Sequence, residues 1–168
     1  MMMKRTMLPF CALLAALAGS AHAEPVEHRV SVEVQVPNEV FYVTAVGGWT
    51  GAAQLLQWDR AGRRLQPLQQ WLEMRSTMGS ITVKVDGETV LADGEQKIPL
   101  HIKLDSGQRR CEVFRHDGGA SADCLVLNAA EAASNRRVSL EIIPSHPAGG
   151  YQPGVYHGVI NLLFESAL

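Results

Sequence analysis

Residues 28–37, HRVSVEVQVP, place Val30, Val32, Val34 and Val36 on every second position, with Arg29, Ser31, Glu33 and Gln35 between them. Successive side chains of a strand point to opposite faces, so this spacing predicts an extended segment with one apolar face. The same period recurs at Ile81, Val83 and Val85, at Ile98, Leu100, Ile102 and Leu104, and at Val138, Leu140 and Ile142. It closes at Ile160, Leu162 and Phe164, with Gly158 expected on the same face and Tyr156 leading in. Between the runs stand Asp86-Gly87, Asp93-Gly94, Ser106-Gly107, Asp117-Gly118-Gly119 and Pro147-Ala148-Gly149-Gly150, residue types that suit tight turns. Short alternating strands punctuated in this way predict an all-β, immunoglobulin-like antiparallel sandwich.

Two stretches break the rhythm. In GAAQLLQWDRAGRRLQPLQQWLEMR, Leu65, Leu68 and Leu72 also fit a helical face, but Pro67 lies inside that pattern and weakens it. The expectation is irregular loop with short strands, the last carrying Leu72 and Met74. Further on, the alanines of NAAEAASNRR follow Asn128, a good capping residue, and predict one short turn of helix before the Val138 strand.

The first residues change the picture of what the mature chain is. Lys4 and Arg5 precede the apolar run LPFCALLAALAG, and AHA precedes Glu24, the charge, apolar core and small-residue site of a secretory signal peptide over residues 1–23. The run is too short for a permanent membrane helix. LPFC lacks the small residues of a lipoprotein signal, so Cys11 is expected to leave with the leader. Cleavage after Ala23 leaves 145 of the 168 residues, enough for one domain with a core. With Lys4 and Arg5 gone, thirteen of the 15 basic residues face 17 acidic ones, a formal charge of −4 that speaks against a nucleic-acid surface. In an exported chain, Cys111 and Cys124 are expected to be bridged, because that compartment is oxidising and no C-x-x-C spacing suggests a redox pair.

Candidate chemistry is sparse. His28, His101, His116, His146 and His157 lie at no spacing that puts two on one helix face as a metal site requires, and surface or loop positions are expected for them. Asp86-Gly87-Glu88 and Asp93-Gly94-Glu95 lack the run of oxygen ligands calcium needs, and hairpin turns explain both. There is no G-x-S-x-G elbow, and Ser145-His146 has no evident acid partner. No catalytic residue, cofactor or metal is therefore assigned. Trp49, Trp58 and Trp71 are expected to close the ends of the core; a sugar-stacking face, and with it a secreted carbohydrate-binding or tip-adhesin module, is the alternative.

Several features in order resemble one known family: the alternating N-terminal strand, Phe41-Tyr42-Val43, Leu56-Gln57-Trp58, Leu72-Glu73-Met74-Arg75 with Gly79-Ser80-Ile81, Ile98-Pro99-Leu100, VSLEIIP from Val138 to Pro144, and GYQPGVYHGVINLLF from Gly150 to Phe164. The chain resembles the major subunits of alternate chaperone-usher fimbriae, of the coli surface antigen and colonisation factor type. The resemblance implies an immunoglobulin-like sandwich lacking its final strand and completed by donor-strand exchange, in a fimbrial subunit exported to the periplasm and assembled at the cell surface. It implies a periplasmic chaperone, an outer-membrane usher and further copies of the same chain as partners, with neither nucleic acid nor membrane insertion. Residues 24–37 would be the donor strand, with Val30, Val32, Val34 and Val36 entering a neighbour's groove. Residues 38–168 would be the pilin domain, its groove lined in part by Ile160, Leu162 and Phe164. The alternative for residues 28–37 is the first strand of their own sheet.

Overall fold

Alternation becomes burial along Gln96–Asp105. In the computed structural model, which describes Val34 and residues 38–116, 119–120 and 122–167, Ile98, Leu100, Ile102 and Leu104 of this strand are at most 2% exposed. Lys97, His101 and Lys103 take the other face. Pro99 sits where the strand changes partners. Residues before it pair with Val90–Asp93, and residues from Leu100 onward pair with Arg136–Pro144. A proline there removes no ladder donor that a central position would need, and its carbonyl accepts from Ser145 N at 2.8 Å.

In chain order the strands are β1 (Phe41–Ala45), β2 (Trp58–Asp59), β3 (Arg64–Leu65), β4 (Leu68–Ser76), β5 (Ser80–Asp86), β6 (Val90–Asp93), β7 (Gln96–Asp105), β8 (Arg110–Val113), β9 (Arg115–His116), β10 (Gly119–Ala120), β11 (Cys124–Leu127), β12 (Arg136–Pro144) and β13 (Asn161–Ala167). One sheet runs β1-β4-β12-β7-β6, with β8 also on β7; the second runs β11-β5-β13; β2–β3 and β9–β10 are small hairpins. Met74, Ile81, Val83, Val113, Leu127, Val138 and Leu140 join the β7 side chains between the two sheets. The result is the expected all-β, immunoglobulin-like sandwich.

Cys111 on β8 and Cys124 on β11 are joined by a disulfide. Each strand is the last of its sheet on the rim away from β1 and β13, so the bridge ties the two layers together there. Two buried polar side chains are satisfied within the layers. Thr89 Oγ1 accepts from Arg115 N at 2.9 Å. Ser76 Oγ lies 2.6 Å from Ser166 Oγ and also accepts from Met78 N at 3.0 Å.

The stretch after Trp49 follows the strand reading. A single 3-10 turn (Trp49–Gly51) leads through loop to the β2–β3 hairpin and then to β4, where Leu72 and Met74 are buried. The short helix before Val138 also forms, as α1 (Ala129–Ala132). Asn128 Oδ1 accepts from Glu131 N at 2.9 Å while the Glu131 carboxylate accepts from Asn128 N at 2.7 Å, a reciprocal capping box. Ala132 packs into the core. Asn128→Ala is expected to lower stability by about 1 kcal/mol, read as a shift of the urea midpoint at constant slope.

Three expectations are corrected. Asp93-Gly94 closes the β6–β7 hairpin, but Asp86-Gly87 is no hairpin turn; it carries the chain from β5 in one sheet to β6 in the other. Gly158 lies outside the closing strand, in a connector bridged to β6 by Ala92 N to His157 O at 2.8 Å and His157 N to Ala92 O at 2.9 Å. A side chain at Gly158 would collide with the Val90 carbonyl, so the glycine serves close approach. Of the tryptophans only Trp49 packs against the core; Trp58 is 48% exposed and Trp71 52%. Both belong to strands whose outer faces they occupy.

Candidate functional site

An open trough runs between the two sheets on the rim opposite the disulfide. Its walls come from β1 and the Trp49 turn on one side and from β13 on the other. β1 is paired along one edge with β4, and β13 along one edge with β5, from Asn161↔Asp86 to Ala167↔Ser80. Among the described residues neither strand has a partner on its second edge. Both strands therefore present unspent backbone donors and acceptors to the same opening.

Side chains make the trough apolar. One stretch, of about 610 Å³, is lined by Val43, Ala45, Trp49, Leu72, Leu162 and Phe164. The next, of about 560 Å³, is lined by Trp49, Leu56, Leu91, Leu100, Ile142 and Ile160. Trp49, Thr50 and Ile160 belong to both, which makes the opening continuous. Ile160, Leu162 and Phe164 are half-buried, packed against the core from below and uncovered above. Past Phe164 the Ser76–Ser166 contact joins the sheets and ends the apolar run. Trp49 is held in the wall by its indole N–H, which donates to Trp71 O at 3.1 Å. On the outer face of β13, Glu165 accepts from Lys84 Nζ at 2.6 Å, a hydrogen bond that raises the lysine's pKa.

Ile160, Leu162 and Phe164 thus lie where the alternation of the closing run put them, on the inward face of one wall. The opposite wall was not legible in the same way. Val43 lies in a strand of only five residues, and Leu56 and Leu91 lie in a loop and a short edge strand; none belongs to an alternating run that would mark which way it faces. Of the donor-strand candidates, Val30, Val32 and Val36 lie outside the described residues, as does the leader, residues 1–23. Val34 is described and is 80% exposed.

The other candidate groups are engaged in structure. His101 Nδ1 lies 2.6 Å from Glu112 Oε1 across β7 and β8, beside Phe114 and His116. His146 packs edge-on against Tyr151, and His157 makes the bridge to β6; His28 lies outside the described residues. Ser145 uses its backbone N–H on Pro99 and its carbonyl on Tyr151. No group of three or more His, Cys, Asp or Glu side chains among the described residues could hold a metal ion. No helix among them is long and apolar enough to cross a membrane.

Compared with known families, residues 26–165 match the model of the CS1 type fimbrial major subunit. No curated protein matches the chain.

Proposed function

Because the chain belongs to the CS1 type fimbrial major subunit family, and is thus a structural subunit of surface fimbriae and no enzyme, we propose that it polymerises by donor-strand exchange through a chaperone-usher pathway. In this reading the trough is the acceptor. Residues 24–37 of the next copy are the donor, with Val30, Val32, Val34 and Val36 turned into the trough and Arg29, Ser31, Glu33 and Gln35 turned out.

The observation that carries the reading is the apolar trough flanked by two strand edges that have no partner among the described residues. An added strand satisfies both needs at once, since its alternate side chains cover the trough while its backbone continues a ladder. The dimensions agree. Four alternate positions span about 20 Å at the strand rise; Ile160, Leu162 and Phe164 face three of them, and the stretch lined by Leu56 and Leu91 continues the trough beyond Ile160. Burying four valines contributes roughly 6–12 kcal/mol as an upper bound. Head-to-tail donation is heterologous and does not close on itself, so it yields a filament. Before donation the same apolar edge invites aggregation; a periplasmic chaperone that lends a strand, and an outer-membrane usher where it is exchanged, remove that hazard.

The test is secretion of the chain with and without a cognate periplasmic chaperone, followed by gel filtration and electron microscopy. Expected are loss or aggregation of the chain alone, a discrete complex with the chaperone, and filaments once the usher is added. A lone chain that elutes as a monomer and melts cooperatively overturns the proposal.

A further inference from the structure

A second concave site lies elsewhere on the sandwich. It is a recess of about 400 Å³ lined by Trp58, Leu65, Ile98, Tyr151, Gln152 and Tyr156 among others, and it shares no residue with the trough. The β2–β3 hairpin forms one side and the 151–156 segment the other.

Both sides are fixed in place. The Trp58 and Tyr151 rings meet edge to face at 5.5 Å. The Tyr151 hydroxyl donates to Ser145 O at 3.2 Å; burial raises its pKa, against the opposing pull of a hydrogen bond from the Leu65 backbone that ties the hairpin to it. Tyr156 Oη donates to Gln152 O at 3.0 Å, and Val155 N donates to Asp93 Oδ2 at 2.9 Å. A rigid aromatic floor needs little ordering when a ligand arrives. Yet Trp58 remains 48% exposed.

The hairpin tip adds charge. Asp59-Arg60-Ala61-Gly62-Arg63-Arg64 turns tightly, with Asp59 Oδ1 accepting from Ala61 N at 3.0 Å and the same carboxylate lying close over Gly62. Arg63 occupies the left-handed region at φ 48°, an uncommon place for a residue with a long side chain. Asp59 accepts from Ala61 N and pairs with Arg64 at 3.8 Å, and Asp93 accepts from Val155 N; neither pairs with Arg60 or Arg63. Arg60 and Arg63 are exposed and form no hydrogen bond or ion pair with the described residues. Arg60 and Arg63 belong to the turn that joins β2 to β3, next along the chain from the paired strand residues Trp58 and Leu65 that line the recess.

The exposed part of the Trp58 ring suits the C–H face of a pyranose, and guanidinium groups suit carboxylate or sulfate in bidentate geometry. The geometry points to a second binding site on this chain: the recess takes an acidic saccharide, one ring on Trp58 and its anionic group on Arg60 and Arg63. Recognition of this kind needs no strand exchange. In a filament the site repeats once per subunit, so weak binding at each becomes avidity along the fibre.

The test is calorimetric titration of the full secreted chain, purified as monomer or as fibre, with three probes: a hyaluronan tetrasaccharide carrying carboxylates, a heparin tetrasaccharide carrying sulfates, and neutral cellotetraose. At least one acidic probe is expected to bind and cellotetraose is expected to bind about tenfold more weakly or not at all. Trp58→Ala is expected to weaken acidic binding about tenfold or more. Arg60→Ser with Arg63→Ser is expected to weaken it similarly and to flatten its salt dependence. Trp71→Ala, exposed but outside the recess, is expected to leave binding unchanged, and thermal melts of each variant check folding. The proposal is overturned if no probe binds, if cellotetraose binds as well as the acidic probes, or if the Trp58 and arginine variants bind like the parent. It is also overturned if Trp58→Ala disturbs only fibre packing, which would make the recess a contact between copies. Because binding is read on monomer or fibre alike, its failure leaves the donor-strand proposal standing, and the reverse holds too.

Discussion

A chain carrying Val32→Asp and Val34→Asp is expected to accumulate as chaperone-bound subunit and to form no fibres by electron microscopy. Under the donor-strand proposal two valines contribute roughly 3–6 kcal/mol to seating the strand, and at about 1.4 kcal/mol per tenfold their loss alone weakens it some hundred- to ten-thousandfold. The aspartates add a further penalty. An ionised carboxylate cannot enter an apolar trough unpaired and must first be protonated. The body of the subunit, from Pro37 onward, keeps its own sheets and disulfide, so chaperone binding at the trough is expected to survive. Register supplies the control, because a strand shifted by one residue turns every side chain to the other face. Ser31→Asp with Gln35→Asp places the same two charges on the outward positions and is expected to leave fibres intact. Normal fibres from the valine variant, or equal loss from the outward variant, would show that residues 28–37 do not enter the trough in this register.

The contrast between those two pairs also shows what alternation can and cannot reveal. β5, β7 and β12 were legible because each repeats its apolar face over at least three positions, and β13 because Leu162 and Phe164 continue the period begun at Ile160; burial at Ile81, Val83, Leu100, Ile102, Leu104, Val138 and Leu140 follows from that pattern. The capped helix at Asn128 was legible because a capping box is local in sequence. Asp86-Gly87 was read correctly as a turn and wrongly as a hairpin, since a dipeptide encodes reversal of direction and not the sheet that the next strand joins. The trough could be inferred only on one side. Its β13 wall is a periodic run, whereas Val43, Trp49, Leu56, Leu91 and Ile142 converge from separate elements. An open rim is moreover defined by strand edges without a partner among the described residues, which no local pattern records. Trp58 and Trp71 were expected in the core on hydrophobicity alone; the pleat of β2 and β4 turns them outward, and the recess beside Trp58 arises from residues nearly a hundred positions apart.

Removing the disulfide by Cys111→Ala with Cys124→Ala is expected to lower stability by about 3 kcal/mol, the loop-closure value for cysteines 13 residues apart, a fall in Tm of roughly 6–12 °C. Reduction of the parent protein serves as the comparison that separates loss of the cross-link from the small void left at Cys111. The location makes the effect matter for assembly. β8 and β11 end their sheets on the rim opposite the trough, so the covalent tie closes one side of a sandwich whose other side, under the donor-strand proposal, stays open until a strand arrives. If the proposal holds, the subunit draws on a small margin of stability before donation, and the same few kcal/mol are then a larger share of it than after. The expected signature is therefore kinetic as well as thermal: fewer variant subunits reach the fibre per unit synthesised, while fibres assembled from oxidised parent and then reduced persist. If the variant melts within about 2 °C of the parent and assembles at the same yield, the two sheets are held on that rim by packing of Val113, Val126 and Leu127 alone, and the bridge is dispensable to both folding and assembly.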